Sequence, residues 1–276
     1  SPILSAFLAA AKILKLPIFL LLAMPQGKSL MARDDAKPLE GDQLHNSSPL
    51  EGSQLLDGSV RSFVVRSGRL TEAQRRAIEV WGPTYIIPFT PVPLDFAKLF
   101  DEQRPVILEI GFGMGQATWQ IARDRPNYNY LGIEIHAPGV GRLIMDLREH
   151  NIANVRIIQH DALEVLRTAI PPESLAGLHI FYPDPWPKKR HHKRRLMQKA
   201  VICLMAEKLA SGGYLYFVTD IEEYGEFAKN ALESCKLLAN RYEGFAPRQD
   251  WRPVTKFEGH ANESGRNAFE LMFIKS

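Results

Sequence analysis

The 276-residue sequence predicts an α/β protein built on a mostly parallel sheet with helices on both faces. Three observations predict it. Five apolar, β-branched runs recur from Pro105 onward, near-continuous as strands covered on both faces require. Segments of helical spacing separate them, for example Leu196, Val201, Leu204, Met205 and Leu209. A glycine-rich turn follows the first run, where a strand hands over to a helix.

The elements follow in order. The first 24 residues are the most apolar stretch, but Lys12 and Lys15 interrupt them. No uncharged run there reaches the roughly 18 residues needed to span a bilayer. Leu16–Met24 has the length of a signal-peptide core. It lacks a basic segment ahead of an uninterrupted core and an evident small-residue cleavage site. We read the segment as an upstream extension, with Met24 and Met31 as alternative starts; a targeting or membrane-surface segment is the other reading. Residues 32–59 are rich in Asp, Glu, Gly, Ser, Pro and Asn without period, a composition that cannot offset chain entropy and reads as a disordered linker. The expected organisation is therefore a leader and linker over 1–59 and one domain over 60–276. The five strand runs are PVILEI (105–110), YLGIEI (130–135), VRIIQH (155–160), LHIFY (178–182) and YLYFVTD (214–220).

Composition excludes several classes. With 45% hydrophobic and 24% charged residues, wholesale disorder is ruled out. Cys203 and Cys235 are too few for a disulfide framework, and no Cys/His cluster has metal-ligand spacing, so no metal is expected. The formal charge of +3 is unevenly placed. Residues 188–195, KKRHHKRR, hold six Lys/Arg, two His and no acid, and residues 61–76 hold five Arg and one Glu. Such focused patches suit phosphate contacts.

In a parallel α/β sheet, ligands bind beyond the carboxyl ends of the strands, so the residues after each run are the ones to inspect. After the first stands Glu109-Ile110-Gly111-Phe112-Gly113-Met114-Gly115. A dinucleotide fingerprint would put its third glycine at 116, where Gln116 stands. G-x-G-x-G preceded by an acid suits S-adenosylmethionine better than a nicotinamide cofactor. Glu134 ends the second run, 19 residues past Gly115, where a carboxylate can accept both ribose hydroxyls. Asp161 ends the third and suits an adenine amino group or, alternatively, a helix N-cap. Together these three strand ends describe a nucleoside cofactor site.

The fourth run ends in Tyr182-Pro183-Asp184-Pro185-Trp186-Pro187, in which three prolines lock the loop that carries Asp184 and Trp186. A fixed acid beside an aromatic suits a planar base, held by hydrogen bonds and stacking. The basic run that follows would then position a nucleic acid at that pocket.

These residues resemble the bacterial tRNA (guanine-N7)-methyltransferases, which methylate guanosine 46 of the tRNA variable loop. The matching elements are RSFVVRSGRLTEAQ (61–74), LEIGFGMG (108–115), GIEIH (132–136), HDALEVL (160–166), DPWPKKRHHKRR (184–195), TD (219–220) and RPVTKFE (252–258). The resemblance implies a Rossmann-like S-adenosylmethionine-dependent methyltransferase fold. It implies that Glu109, Gly111, Gly113, Gly115, Glu134 and Asp161 hold the cofactor. Asp184 is the family's catalytic residue and also counts among its cofactor contacts. Lys188, Asp220, Thr255, Lys256, Phe257 and Glu258 match substrate positions. Arg190, His191, His192, Lys193, Arg194 and Arg195 are expected to face the RNA. The chain departs from the family pattern at His260 and Ala261, where Arg and Gly are usual. The resemblance further implies a tRNA partner; because export would conflict with a tRNA substrate, a cytoplasmic location without stable membrane association is expected, and a monomer is the expected state. Two alternatives stand beside this reading. The D-P-W-P loop resembles the D/N-P-P-Y/F loop of amino-methyltransferases acting on adenine or cytosine, and a non-catalytic RNA-binding protein could carry a dead cofactor fold.

Overall fold

Each of the five runs forms a strand in the computed structural model, which describes residues 68–254, 258 and 267–276. The leader and linker, residues 61–67, Thr255, Lys256, Phe257, His260 and Ala261 lie outside the described residues. The strands are β1 (Val106–Ile110), β2 (Asn129–Ile133), β3 (Val155–Ile158), β4 (Leu175–Phe181) and β5 (Leu209–Thr219). Two further strands, β6 (Leu238–Asn240) and β7 (Phe269–Lys275), have no counterpart among the five runs.

The sheet order is β3-β2-β1-β4-β5-β7-β6. The first five strands pair in parallel, and β7 pairs antiparallel with β5 and β6. The chain runs from β1 out to β3 and returns beside β1 as β4. This reversal opens a crevice at the carboxyl ends of β1 and β4.

The helices are α1 (Glu72–Tyr85), α2 (Phe96–Leu99), α3 (Gln116–Asp124), α4 (Ala137–Glu149), α5 (Ala162–Thr168), α6 (Lys199–Lys208) and α7 (Glu222–Glu233). A 3₁₀ turn spans Lys189–Arg194. The period of two along β1 divides its side chains between two apolar layers. Leu108 joins Leu131, Leu166, Met205 and Leu232 on the face covered by α5, α6 and α7. Ile107 joins Ala77, Ile121 and Leu143 on the face covered by α1, α3 and α4. Every residue of β1, β2 and β3 is buried, as near-continuous apolar runs require. The helical pattern 196–209 is shorter than expected: Leu196 precedes α6 and Leu209 opens β5, both buried as the pattern demanded. Among the described residues, no helix is long and apolar enough to cross a membrane.

Candidate active site

A cleft of about 240 Å³ opens at the carboxyl ends of β1, β2, β3 and β4. Its walls include Gly111, Gly113, Glu134, Asp161 and Asp184, residues far apart in sequence, together with His136, His160 and Tyr182. Gly111 and Gly113 adopt φ of 71° and 57°, a region that disfavours other residues. A Cβ at either would meet nothing within 4 Å, so the loop presents bare backbone to open space. Gly115, the N-cap of α3, matters for packing instead, since a Cβ there would sit 2.8 Å from Leu143. Its absence lets α3 pack on α4.

Glu134 braces this loop. One carboxylate oxygen accepts from Gly113 N–H at 2.8 Å; the other accepts from Ile135 and His136 N–H at 2.8 and 2.9 Å. Each oxygen carries two lone pairs, so capacity remains for a hydroxyl ligand. Asp161 is the N-cap of α5, accepting from Glu164 N–H at 2.9 Å, and it also lines the cleft. The N-cap reading of that residue is what the structure shows, and its place in the cleft wall leaves the adenine contact open. Bare glycine backbone and an acid at each neighbouring strand end fit the nucleoside and amino-acid portions of S-adenosylmethionine.

The opposite wall is the 182–187 loop. Tyr182 and Trp186, each directly before a proline, have φ of 51° and 45°. Such backbone costs on the order of 1–3 kcal/mol per residue and persists only where neighbours over-determine it. Here three arginines supply the bracing. Arg252 lies against the Tyr182 hydroxyl. Arg194 lies over the Trp186 ring, 4.9 Å from its centroid. Arg195 donates from Nε to Pro185 O at 2.9 Å. Asp184 is thus held from both sides.

Two comparisons bear on the identity of this site. Residues 103–271 match the family model described as "Putative methyltransferase". The tRNA (guanine-N(7)-)-methyltransferase of Bordetella parapertussis is 50% identical over 79% of this chain and 85% of its own length. That of Methylobacillus flagellatus is 47% identical over 78% and 90%. The chain belongs to the tRNA (guanine-N7)-methyltransferase family. Among solved structures, the 16S rRNA methyltransferase KamB overlaps 66% of this chain and 93% of its own at TM-score 0.47 and 13% identity, too distant to carry an argument.

Some residues that the family resemblance assigned are not part of this cleft's lining. Glu109 does not line the cleft; it is buried within β1. Lys188 and Asp220 are also outside the cleft lining, Lys188 being exposed. Lys189, Arg190 and Lys193 are exposed too, so the outer side of the 3₁₀ turn is cationic. His191 and His192 are only half-exposed, the first edge-on to Trp186 and the second edge-on to Phe227. Burial and the surrounding Arg and Lys charges hold the His191 pKa below its ordinary value, which disfavours a cationic phosphate contact.

Arg195 requires a correction. Expected to face RNA, it is 1% exposed. Its guanidinium forms a bidentate pair with Glu223 and lies 4.8 Å from the ring centroids of both Tyr224 and Phe227. A charge withdrawn from water needs such a partner, so it serves the fold of the site rather than phosphate. Glu258 is likewise engaged within the protein. Expected at the substrate, it is buried, and both carboxylate oxygens accept from Arg252, at 2.7 and 2.8 Å. Arg252 also donates to Glu270 at 2.6 Å and to the Tyr216 hydroxyl at 3.1 Å. This buried network ties the start and end of the RPVTKFE segment to β5 and β7. Local sequence pattern does not mark Arg252, Glu223 and Glu270 as members of the site, because their roles arise only from long-range pairing.

The buried Glu109 yields a pH prediction. Burial, with a smaller contribution from the Glu134 charge, pushes its carboxyl up to about 7, and the Thr118 hydroxyl opposes the rise. The folded protein therefore keeps a proton on Glu109 that the unfolded chain loses near its ordinary value of 4.5. The stability linked to this group is fully present below that value and is lost as pH rises to about 7. A shift of this size corresponds to about 3 kcal/mol. Glu109→Gln should remove that slope, so the variant gains on the wild type between about pH 5 and 7.5 in urea unfolding. Parallel stability profiles for the two proteins would refute it.

Proposed function

We propose that this protein transfers the methyl group of S-adenosylmethionine to N7 of a guanine in tRNA, at guanosine 46 of the variable loop. The observation that carries this reading is the placement of Asp184. It stands on a braced, proline-locked loop across one cleft from Glu134 and Asp161, and the exposed cations of 188–193 begin four residues later. The names of the relatives, tRNA (guanine-N(7)-)-methyltransferases in each case, support the same substrate.

When bound, S-adenosylmethionine supplies an electrophilic methyl group on a sulfonium. The protein side of the reaction is then mostly alignment. Guanine N7 already carries a free lone pair, so no proton has to leave before transfer. The Asp184 carboxylate accepts hydrogen bonds from N1–H and the exocyclic amino group of the base, which turns the ring to present N7. Effective molarities on the order of 10⁵–10⁸ M for well-oriented reactants make such positioning sufficient for most of the acceleration. Glu134 and the bare backbone at Gly111 and Gly113 hold the cofactor, and Lys189, Arg190 and Lys193 hold phosphates of the RNA. A tRNA substrate supports a cytoplasmic location without stable membrane association.

Mass spectrometry of nucleosides from tRNA incubated with the protein and methyl-labelled cofactor tests the proposal. Labelled 7-methylguanosine is expected; label in an N-methylated amine of adenine or cytosine would overturn it. The cationic turn has its own test. Replacing Lys189, Arg190 and Lys193 by Ala should flatten the slope of log K for tRNA against log salt by about 0.7 per single-stranded-like contact. Cofactor affinity should not move. An unchanged slope would make these side chains an ordinary solvated face.

A further inference from the structure

We propose that Arg195 and Glu223 form a positioning clamp that fixes Asp184 relative to the substrate side of the sheet, an inference that rests on the function proposed above. Three observations carry it. First, Arg195 is 1% exposed although it closes a strongly basic run, so the chain has turned one cation inward while Lys193, two residues earlier, stays in water. Second, all three guanidinium nitrogens are engaged. Nε donates to the carbonyl of Pro185, the residue after Asp184, at 2.9 Å, while the two terminal nitrogens grip the two oxygens of Glu223. Third, Glu223 lies in the first turn of α7, the helix that begins just after Asp220 at the end of β5.

One planar, five-donor group thereby ties the loop after β4 to the helix after β5. A planar fork keyed into a carboxylate has little rotational freedom, so the Pro185 carbonyl inherits a fixed position. The Tyr224 and Phe227 rings, both from α7, keep the guanidinium from swinging out. The left-handed backbone at Trp186, adjacent to the gripped carbonyl, then has the external constraint that such geometry needs. Asp184 sits between Tyr182 and this anchored peptide. A displacement of about 1 Å in its carboxylate is enough to cost on the order of 10²-fold in transfer rate.

The test uses the full-length protein and three variants, Arg195→Lys, Glu223→Gln and their combination. Single-turnover methyl transfer is measured at saturating tRNA and cofactor, beside cofactor stoichiometry and affinity by equilibrium dialysis and the salt slope of tRNA binding. Each single variant should lose roughly 10- to 100-fold in rate. Cofactor binding should stay stoichiometric and within about twofold of wild type, and the salt slope should not change. The double variant should be no slower than the slower single one, because both break the same clamp. Glu223→Gln is the safeguard against misfolding, since the Glu223 side chain is 60% exposed and its replacement keeps size and one acceptor. A wild-type rate in Glu223→Gln overturns the clamp. So does an intact saturated rate with weakened tRNA affinity in Arg195→Lys, which would return Arg195 to the RNA. A wild-type protein that forms no 7-methylguanosine removes the functional reading itself; one that forms it while the variants match it removes only the clamp.

Discussion

Asp184→Ala should lose at least about 10²-fold in single-turnover methyl transfer, with Asp184→Asn falling between it and the wild type. The expectation follows from the free lone pair on guanine N7. If the carboxylate only orients the base, it need only accept hydrogen bonds, and Asn retains one acceptor oxygen in nearly the same shape. Ala removes acceptance altogether and lets the base tilt, and misplacement by about 1 Å costs on the order of 10²-fold. The bracing of residues 182, 185 and 186 by Arg252, Arg195 and Arg194 matters here, because it keeps the truncated loop in place. The loss therefore reports the side chain and not a collapsed loop. A general-base role predicts something else: Asn as inactive as Ala, and a rate that falls as the carboxylate takes up a proton. Rates for both variants across mildly acidic to neutral pH distinguish the two, and equal, complete loss in both would sink the orientation model.

Glu134→Ala should weaken cofactor binding by about 1.5–3 kcal/mol for each charged hydrogen bond lost, roughly 10- to 150-fold in Kd per bond. The geometry makes the effect larger than the loss of ribose contacts alone. The same carboxylate holds the N–H groups of Gly113, Ile135 and His136, so its removal also frees the loop on which the cofactor rests. Glu134→Gln keeps an acceptor but forfeits the charge and one oxygen, and should fall in between. Affinity for tRNA should stay nearly unchanged, because the exposed cations of 189–193 are set by a different loop. Equilibrium dialysis with labelled cofactor beside tRNA titration measures both. Equal loss of the two affinities would show that the fold had been damaged.

Much of this site is legible in local pattern. The acids that follow β2 and β3, the glycines that follow β1 and the proline-locked Asp184 each lie just beyond the end of a strand. A parallel sheet sends all such positions to one edge. Gly111, Gly113, Glu134, Asp161 and Asp184 do line one cleft. The strands β6 and β7 are harder to read. β6 has only three residues, and β7 takes its place by antiparallel pairing to β5, an element far earlier in the chain.

The basic run marks the boundary between the two kinds of information. Sequence by itself determined that KKRHHKRR is cationic and follows the Asp184 loop. It also determined the parallel sheet, because burial on two faces writes a near-continuous apolar run into each strand. Only the tertiary structure decided which cations meet water. Lys189, Arg190 and Lys193 remain exposed, whereas Arg195 is buried against Glu223, 28 residues away, and Arg252 against Glu270, 18 residues away. The physical reason is desolvation. A charged side chain can leave water only where a partner of opposite charge waits with matching geometry, and that partner is delivered by the fold rather than by its neighbours in sequence.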